Sequence, residues 1–230
     1  VLTDPFNPHH SSGSTADAGR IRHDKWRKLR IDRTASVCLR GKSLLPLAEG
    51  PLGPLERTAR VAFVPKAAGK RRVICMEPAS LQYLQHGVAD QVIAFASQRD
   101  HPLSKLIDIR SQEHNRELCG RAWSEGLATI DLSDASDSVS WRLVKALTRG
   151  LPIGRYLKGT RSEWTLLEGY KVRMDKFAPM GSALCFPIEC YVFASIVELA
   201  RRMQSGSAGA SWSNGHAVYG DDIIVPVEEY

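Results

Sequence analysis

The segment that decides the fold is Ala217–Pro226, which reads AVYGDDIIVP. Two adjacent carboxylates, Asp221 and Asp222, lie between apolar runs that are rich in β-branched residues. Gly220 provides the backbone freedom that a tight turn requires. The flanking runs therefore predict the two strands of a hairpin that holds both aspartates at its tip.

Paired carboxylates of this kind have two interpretations. Neighbouring carboxylates repel each other unless protons or a cation lie between them. A hard divalent cation such as Mg²⁺ prefers oxygen ligands of this type. The alternative is a solvated turn, because Gly-Asp is common turn chemistry. The rest of the chain has to decide between a metal site and a turn.

Length and composition limit the classes of protein to which this chain can belong. The 230 residues are enough for one large domain or two small ones, and 43% hydrophobic residues are typical of a globular protein. The net charge of +6 favours a polyanionic partner without requiring one. Five cysteines and no C-x-x-C motif argue against a disulfide framework or a zinc site and for a reducing compartment. No apolar stretch reaches the roughly 18 residues of a membrane span, so we expect no contact with a membrane.

The ends of the chain also carry an expectation. The sequence begins with Val and ends at Tyr230, directly after the predicted hairpin. A strand pair this apolar needs more sheet or a helix to cover it. We therefore expect the chain to be a segment of a longer protein.

Two basic regions precede the hairpin. Residues 20–42 contain nine Lys or Arg and two Asp, a net charge of +7, which suits a phosphate backbone or a solvated helix face. Residues 61–78 predict a second hairpin whose turn region carries Lys66, Lys70, Arg71 and Arg72. These cations suit a triphosphate, although lysines also protect exposed edge hairpins from aggregation.

A further carboxylate follows a buried strand. Leu127–Ile130 is apolar, and Asp131 comes directly after it, as is typical of a metal ligand at a strand end. An alternative is that Asp131, Asp134 and Asp137 form an N-cap cluster, which explains Asp134 or Asp137 better than Asp131. Apolar spacing predicts helices over 81–96, 141–149 and 183–203, a short hairpin over 164–177, and a Gly181-Ser182 loop before the last helix.

Four motifs thus follow one another: a basic hairpin, a strand that ends in aspartate, a Met-Gly-Ser loop before a long helix, and Tyr-Gly-Asp-Asp. Over about residues 60–226 this order resembles the viral RNA-dependent RNA polymerases, and more narrowly the replicases of single-stranded RNA bacteriophages, the leviviruses. The matching segments are Val64–Arg72, Glu77–Pro78, Ile130–Ser133, Ala135–Ser138, Pro179–Gly181, Phe193–Ser195 and Val218–Ile224.

The resemblance implies a role for each candidate residue. Asp131 corresponds to the first metal-binding aspartate (motif A), and Asp221 and Asp222 correspond to the motif C pair. These three would be catalytic and would hold two Mg²⁺ ions, which Mn²⁺ can replace. The nucleotide-binding residues would be Lys66, Lys70 and Arg72 on the triphosphate, Asp137 near the ribose, and Gly181 and Ser182 in motif B.

The resemblance also implies a fold and partners. We expect an α+β polymerase palm, an antiparallel sheet backed by helices, at 126–230. A fingers-type region is expected at 1–125, and the thumb would lie beyond Tyr230, so this chain alone would be an inefficient polymerase. The partners would be the RNA template and product, ribonucleoside triphosphates and host translation factors, in the cytoplasm of a bacterial host.

Two alternatives stay open at this point. A reverse transcriptase shares the palm and a Tyr-x-Asp-Asp hairpin, but Asp137 as a ribose sensor favours RNA synthesis. A non-catalytic RNA-binding fragment of a polymerase is the other alternative, against which the three intact aspartates argue.

Overall fold

The structure, a computed structural model, describes residues 6–20, 22–39, 55–98, 103, 106–205 and 215–229. These residues form two compact units. The first unit comprises Val1–Gln91 and Asp137–Cys185, and the second comprises Val92–Ser136 and Phe186–Tyr230. Both contain helices and a sheet, so the expected α+β class is confirmed. The palm and the division at residues 125 and 126 stay predictions.

The first unit is built on a four-stranded sheet of order β2-β1-β4-β5. Strand β1 pairs antiparallel with β2 and parallel with β4, and β4 pairs antiparallel with β5. The four strands are β1 (Thr58–Ala67), β2 (Lys70–Met76), β4 (Trp164–Leu167) and β5 (Tyr170–Arg173). The two predicted hairpins are therefore confirmed, and the parallel pairing joins them into one sheet.

Helices cover much of the rest of this unit. The longest is α2 (Ala79–Ala96), which begins in the first unit and whose residues Leu81, Leu84 and Val88 are fully buried at helical spacing. The other helices are α1 (Arg22–Arg27), α5 (Trp141–Leu147), α6 (Ile153–Thr160) and a 3₁₀ turn at Ala35–Leu39.

The second unit contains an antiparallel three-stranded sheet of order β3-β7-β6. Its strands are β3 (Leu127–Asp131), β6 (Ala217–Tyr219) and β7 (Asp222–Pro226), followed by a 3₁₀ turn at Val227–Glu229. Helix α3 (Glu113–Glu125) packs on this sheet, where its buried Leu118 contacts Ala217 and Ile224. The mixed polar sequence of 97–120 did not predict this helix.

Besides α2, two further helices contain a point at which the chain passes from one unit to the other. Helix α4 (Ala135–Ser138) is a single turn, and α7 (Cys185–Ser205) begins where the second unit resumes. The predicted helices 81–96, 141–149 and 183–203 agree with α2, α5 and α7 to within two residues at each end. Within the described ranges, no helix combines the length and the apolar character that crossing a membrane requires.

The basic stretch at residues 20–42 is partly structural. Lys25 is 1% exposed, and its ammonium donates hydrogen bonds to the carbonyls of Ser11 (2.8 Å) and Gly13 (2.5 Å). Burial also lowers the pKa of Lys25. Neither interpretation of the stretch, a phosphate contact or a solvated helix face, therefore holds for Lys25, which anchors the segment before helix α1. Arg40 and Lys42 lie outside the described residues.

Candidate active site

The tip of the β6–β7 hairpin holds the aspartate pair. Tyr219 pairs with Asp222 across the hairpin, so Gly220 and Asp221 form the connecting turn. Gly220 has φ = +63°, a left-handed conformation that favours glycine. The structure thus places Asp221 in the turn and Asp222 at the start of β7.

The third predicted carboxylate lies beside this tip. Strand β3 runs antiparallel to β7, and Asp131 is the direct cross-strand partner of Asp222. Opposed residues on antiparallel strands have Cβ atoms roughly 5 Å apart. The sheet therefore brings Asp131, Asp221 and Asp222 to one end of two neighbouring strands, as the sequence predicted.

The electrostatics of Asp222 reflect this crowding. Burial raises the pKa of Asp222, the charges of Asp221 and Asp131 raise it further, and a hydrogen bond from Gln112 opposes them. A cation among these oxygens would relieve the repulsion, and carboxylates are the ligands that Mg²⁺ prefers. Among the residues that the structure describes, no three His, Cys, Asp or Glu side chains converge closely enough to hold one ion. The donor chemistry fits Mg²⁺, and the side chains would have to turn toward the ion to bind it.

Two amide side chains on or next to helix α3 fix the position of Asp222. Gln112 donates from Nε2 to Oδ2 of Asp222 at 2.7 Å, and the buried Asn115 donates from Nδ2 to its backbone carbonyl at 3.0 Å. Sequence reasoning missed both residues, because they lie more than 100 positions before the hairpin in a stretch without clear periodicity. The only local signal was a pair of amides three residues apart.

Helix α7 supports the turn from another side. The amide of Gly220 donates to Sγ of Cys190 at 3.1 Å, and the rings of Phe186 and Tyr219 pack at 4.8 Å. A Cβ at position 220 would lie 2.6 Å from the Phe186 ring. Burial raises the pKa of the Cys190 thiol to about 12, so this sulfur stays protonated at neutral pH. Glycine is therefore required here both by its φ and by the space.

The basic hairpin belongs to the first unit. Lys66, Lys70, Arg71 and Arg72 are all exposed at its turn end, where Ala67 pairs with Lys70. Within the described ranges, none of these four side chains forms an ion pair. Four like charges without a carboxylate partner in these ranges favour the binding of an anion at this end of the sheet.

The predicted motif B loop is attached to the same hairpin. Cys75 of β2 donates its backbone N–H to the carbonyl of Met180 at 2.8 Å. Gly181 has φ = +111°, and a Cβ there would collide with the carbonyl oxygen of Cys75. Ser182 is 8% exposed, and its hydroxyl accepts a hydrogen bond from the Leu184 amide at 3.3 Å. Gly181 is therefore dictated by the packing of the loop on β2, and Ser182 helps to start helix α7.

Asp137 also lies in the first unit, within α4. Its carboxylate forms an ion pair with Nζ of Lys176 at 2.5 Å. No sequence pattern pairs these two residues, which are 39 positions apart. The nucleotide contacts predicted for Asp137, Gly181, Ser182 and the basic hairpin stay predictions.

A comparison with known protein families identifies the family of this chain. The profile of the family described as RNA replicase, beta-chain, matches residues 42–230. The chain therefore belongs to the RNA replicase beta-chain family, and the resemblance inferred from the four motifs is confirmed.

Curated relatives come from RNA bacteriophages. The chain is 38% identical over 171 residues to the RNA-directed RNA polymerase beta chain of Escherichia phage MS2, covering 73% of this chain and 29% of that protein. It is 30% identical over 226 residues to the RNA-directed RNA polymerase subunit beta of Enterobacteria phage SP, covering 94% of this chain and 37% of the relative. The corresponding Escherichia virus Qbeta subunit is 32% identical over 171 residues, covering 73% of this chain and 27% of that subunit. The chain thus spans well under half the length of these relatives.

Proposed function

We propose that this chain forms the nucleotidyl-transfer part of an RNA-directed RNA polymerase that replicates a bacteriophage RNA genome. The observation that carries the proposal is the cross-strand pairing of Asp131 with Asp222, next to Asp221 in the hairpin turn. Membership of the replicase family supports it. The two sheets would correspond to the palm and to part of the fingers.

The aspartates would act as the reaction centre. Asp131, Asp221 and Asp222 would hold two Mg²⁺ ions, which Mn²⁺ can replace; such ions lower the pKa of an attacking hydroxyl and neutralise charge on a triphosphate. Gln112 and Asn115 keep Asp222 in place, so the repulsion among the carboxylates does not move the start of β7. This preorganisation is what electrostatic catalysis requires of a fixed charged group.

The first unit would bind the nucleotide. Lys66, Lys70 and Arg72 are free to form charge-assisted hydrogen bonds with phosphate oxygens because they are exposed and are not engaged in ion pairs within the described ranges. Asp137, the negative partner of Lys176, would bind the ribose, and the Gly181-Ser182 loop would position the template and the sugar.

The proposed substrates and partners follow from this role. They are an RNA template and product, ribonucleoside triphosphates and host translation factors, in the cytoplasm of an infected bacterium. No surface of the described structure identifies a translation factor by its chemistry.

The proposal is tested by template-directed incorporation of ribonucleotides with Mg²⁺ or Mn²⁺. The assay uses the whole protein that carries this chain, because the chain spans only part of its relatives. We expect Asp221→Asn to abolish incorporation. The control is Asp90→Asn, which removes an exposed carboxylate on helix α2. Activity that survives in the Asp221→Asn protein would show that Asp221 is only a turn residue.

The same assay addresses the alternatives. Replacing ribonucleotides by deoxyribonucleotides should stop synthesis; efficient use of deoxyribonucleotides would identify a reverse transcriptase instead. RNA binding that is independent of Mg²⁺, without any incorporation, would identify a non-catalytic RNA-binding protein.

A further inference from the structure

A cavity of about 510 Å³ lies in the first unit, apart from the basic hairpin and the predicted motif B loop. It is formed by the start of helix α5, the end of helix α6 and the residues that follow strand β5. Its volume is within the range of pockets that hold a small ligand or one nucleotide. Neither the motifs nor the proposed chemistry uses it.

The charge of the cavity is strongly positive. Five cations line it, against the two carboxylates of Glu163 and Asp175. Four of the cations are exposed and lie on three different elements. These are Arg142, Lys145, Lys158 and Arg173.

The fifth cation is a fixed part of the wall. Arg161 is 7% exposed, and its guanidinium donates to the carbonyls of Phe177 (2.8 Å), Met174 (2.6 Å) and Lys176 (2.7 Å). Burial lowers the pKa of Arg161. Its hydrogen-bond partners are neutral carbonyls, but the charges of Glu163, Glu77 and Asp175 raise its pKa, so these carboxylates offset part of the charge that Arg161 adds to the cavity.

An aromatic ring completes the cavity. The indole of Trp141 lines it and is half-buried, with the guanidinium carbon of Arg161 at 5.3 Å and Nζ of Lys145 at 5.6 Å from the ring centre. Arg161 is fixed, but Lys145 is exposed and can move away. A planar ring next to several mobile cations is the combination that binds single-stranded nucleic acid, by base stacking and phosphate contacts.

We propose that this cavity, which we call the Trp141 cavity, binds a segment of single-stranded RNA. One base would stack on Trp141, and the adjoining phosphates would contact Lys145 and Arg173. The identification of the polyanion as RNA rests on the proposed function, whereas the site itself rests on the geometry of the first unit. The site is separate in sequence and chemistry from the aspartate hairpin.

The test measures binding of a fluorescein-labelled octauridylate to the whole protein that carries this chain, by fluorescence anisotropy. The double variant Lys145→Gln/Arg173→Gln should weaken binding about tenfold or more and lower the slope of log K against log salt by about 1.4, since each lost contact to single-stranded RNA contributes about 0.7. The matched control Arg116→Gln/Arg149→Gln removes the same charge from exposed positions outside the cavity and should change binding by less than about threefold. Equal effects of the two double variants would show that octauridylate binds by non-specific charge attraction, and this result would overturn the proposed site.

The stacking contact is tested separately. Trp141→Leu should weaken binding by about fivefold to a hundredfold, and Trp141→Phe should restore most of it. A Trp141→Leu protein that folds and binds octauridylate like the unmodified protein would overturn the stacking role. Photocrosslinking of the unmodified protein to octauridylate containing 4-thiouridine needs no variant; we expect the crosslink in the peptide that contains Trp141, and crosslinks confined to other peptides would contradict the site.

Two further arms identify the ligand. Unlabelled octauridylate should displace the probe, and ATP at the same phosphate concentration should not; displacement by ATP would show that the cavity takes free nucleotides instead. Asp221→Asn should leave octauridylate binding unchanged while it abolishes incorporation, so the proposed function and the RNA site can fail independently.

Discussion

The two charged hairpins of this chain have the same construction and opposite surroundings. Each is a pair of antiparallel strands joined through a glycine with positive φ, Gly69 at +71° and Gly220 at +63°. The turn end of the basic hairpin is exposed throughout, whereas β7 behind the aspartate hairpin is buried from Ile223 to Val225. Water screens the like charges of the first, and hydrogen bonds from Gln112 and Asn115 restrain those of the second.

This difference separates two kinds of binding. Exposed lysines and arginines on long side chains can follow a triphosphate as it moves, and they contribute mainly to affinity. Aspartate side chains are short, so Asp131, Asp221 and Asp222 reach only a group that comes close to the end of β3 and β7. We therefore expect the aspartate hairpin to govern the rate of reaction and the basic hairpin to govern the affinity for nucleotide.

The largest effect is expected from Asp222→Asn. Incorporation by the whole protein should fall at least on the order of a hundredfold, because a fixed charged group at the reaction centre is lost. Stability should not fall with it: the pKa of Asp222 is raised, so the charged form is disfavoured in the folded state and asparagine removes that cost. Incorporation and urea unfolding measured on the same preparation check both parts. Loss of stability in parallel with activity would mean that Asp222 is structural.

A pH-dependent effect is expected at Glu77, which follows the basic hairpin. Glu77 is 1% exposed, and burial raises its pKa from the usual 4.5 to about 7. The folded state therefore holds a proton that the unfolded state releases, so its stabilising contribution is complete below pH 4.5 and is lost as the pH rises through about 7. Glu77→Gln should remove this loss and be more stable at pH 8, by on the order of 3 kcal/mol.

The control for Glu77 is Glu117→Gln, at an exposed position of helix α3. Urea unfolding of all three proteins between pH 5 and pH 8 makes the comparison. A Glu77→Gln protein whose stability depends on pH as steeply as that of the unmodified chain would show that Glu77 is not the titrating group.

The two turn glycines provide the next comparison. Alanine at either position costs about 1 kcal/mol for the left-handed conformation. At Gly69 nothing lies within 4 Å of an added Cβ, whereas at Gly220 the Phe186 ring lies at 2.6 Å. Gly220→Ala should therefore destabilise by about 2 kcal/mol more than Gly69→Ala in urea unfolding.

Asparagine at the same positions separates backbone strain from space, because it tolerates the left-handed region. Gly69→Asn should recover most of the stability that Gly69→Ala loses. Gly220→Asn should not recover the stability that Gly220→Ala loses. Equal recovery at both positions would mean that the Phe186 ring moves aside easily.

The smallest effect is expected from the basic hairpin. Lys70→Ala/Arg72→Ala should raise KM for ribonucleotides about tenfold and change kcat by less than about threefold, because charge-assisted contacts to a triphosphate are lost before the chemical step. Arg149→Ala, another exposed cation, serves as the control. A fall in kcat with unchanged KM would place these cations at the reacting phosphate and break the contrast between the hairpins.

Local elements of the fold could be predicted from the sequence, and their long-range pairing could not. Gly-Asp-Asp between β-branched runs predicted the β6–β7 hairpin, and the apolar run before Asp131 predicted β3. Their register, which opposes Asp131 and Asp222, depends on pairing across 91 positions. From the sequence, only the resemblance to the phage replicases predicted that the three aspartates lie close together.

The residues that support Asp222 were even harder to predict from the sequence. Gln112 and Asn115 act through helix α3, whose polar sequence lacks a clear apolar stripe, so nothing local separated them from solvated residues. Lys25 is the converse case: its charge predicted an exposed side chain, and hydrogen bonds to two carbonyls hold it inside.

We propose that Asp131, Asp221 and Asp222 form a metal-dependent centre, and one measurement tests this. The test is a titration of the whole protein that carries this chain with Mn²⁺, in which the free ion is followed by electron paramagnetic resonance. The unmodified protein and Asp90→Asn should bind Mn²⁺ alike, and Asp131→Asn/Asp222→Asn should lose that binding. Unchanged Mn²⁺ binding in the double variant would contradict the account, because the ion would then be held by other groups.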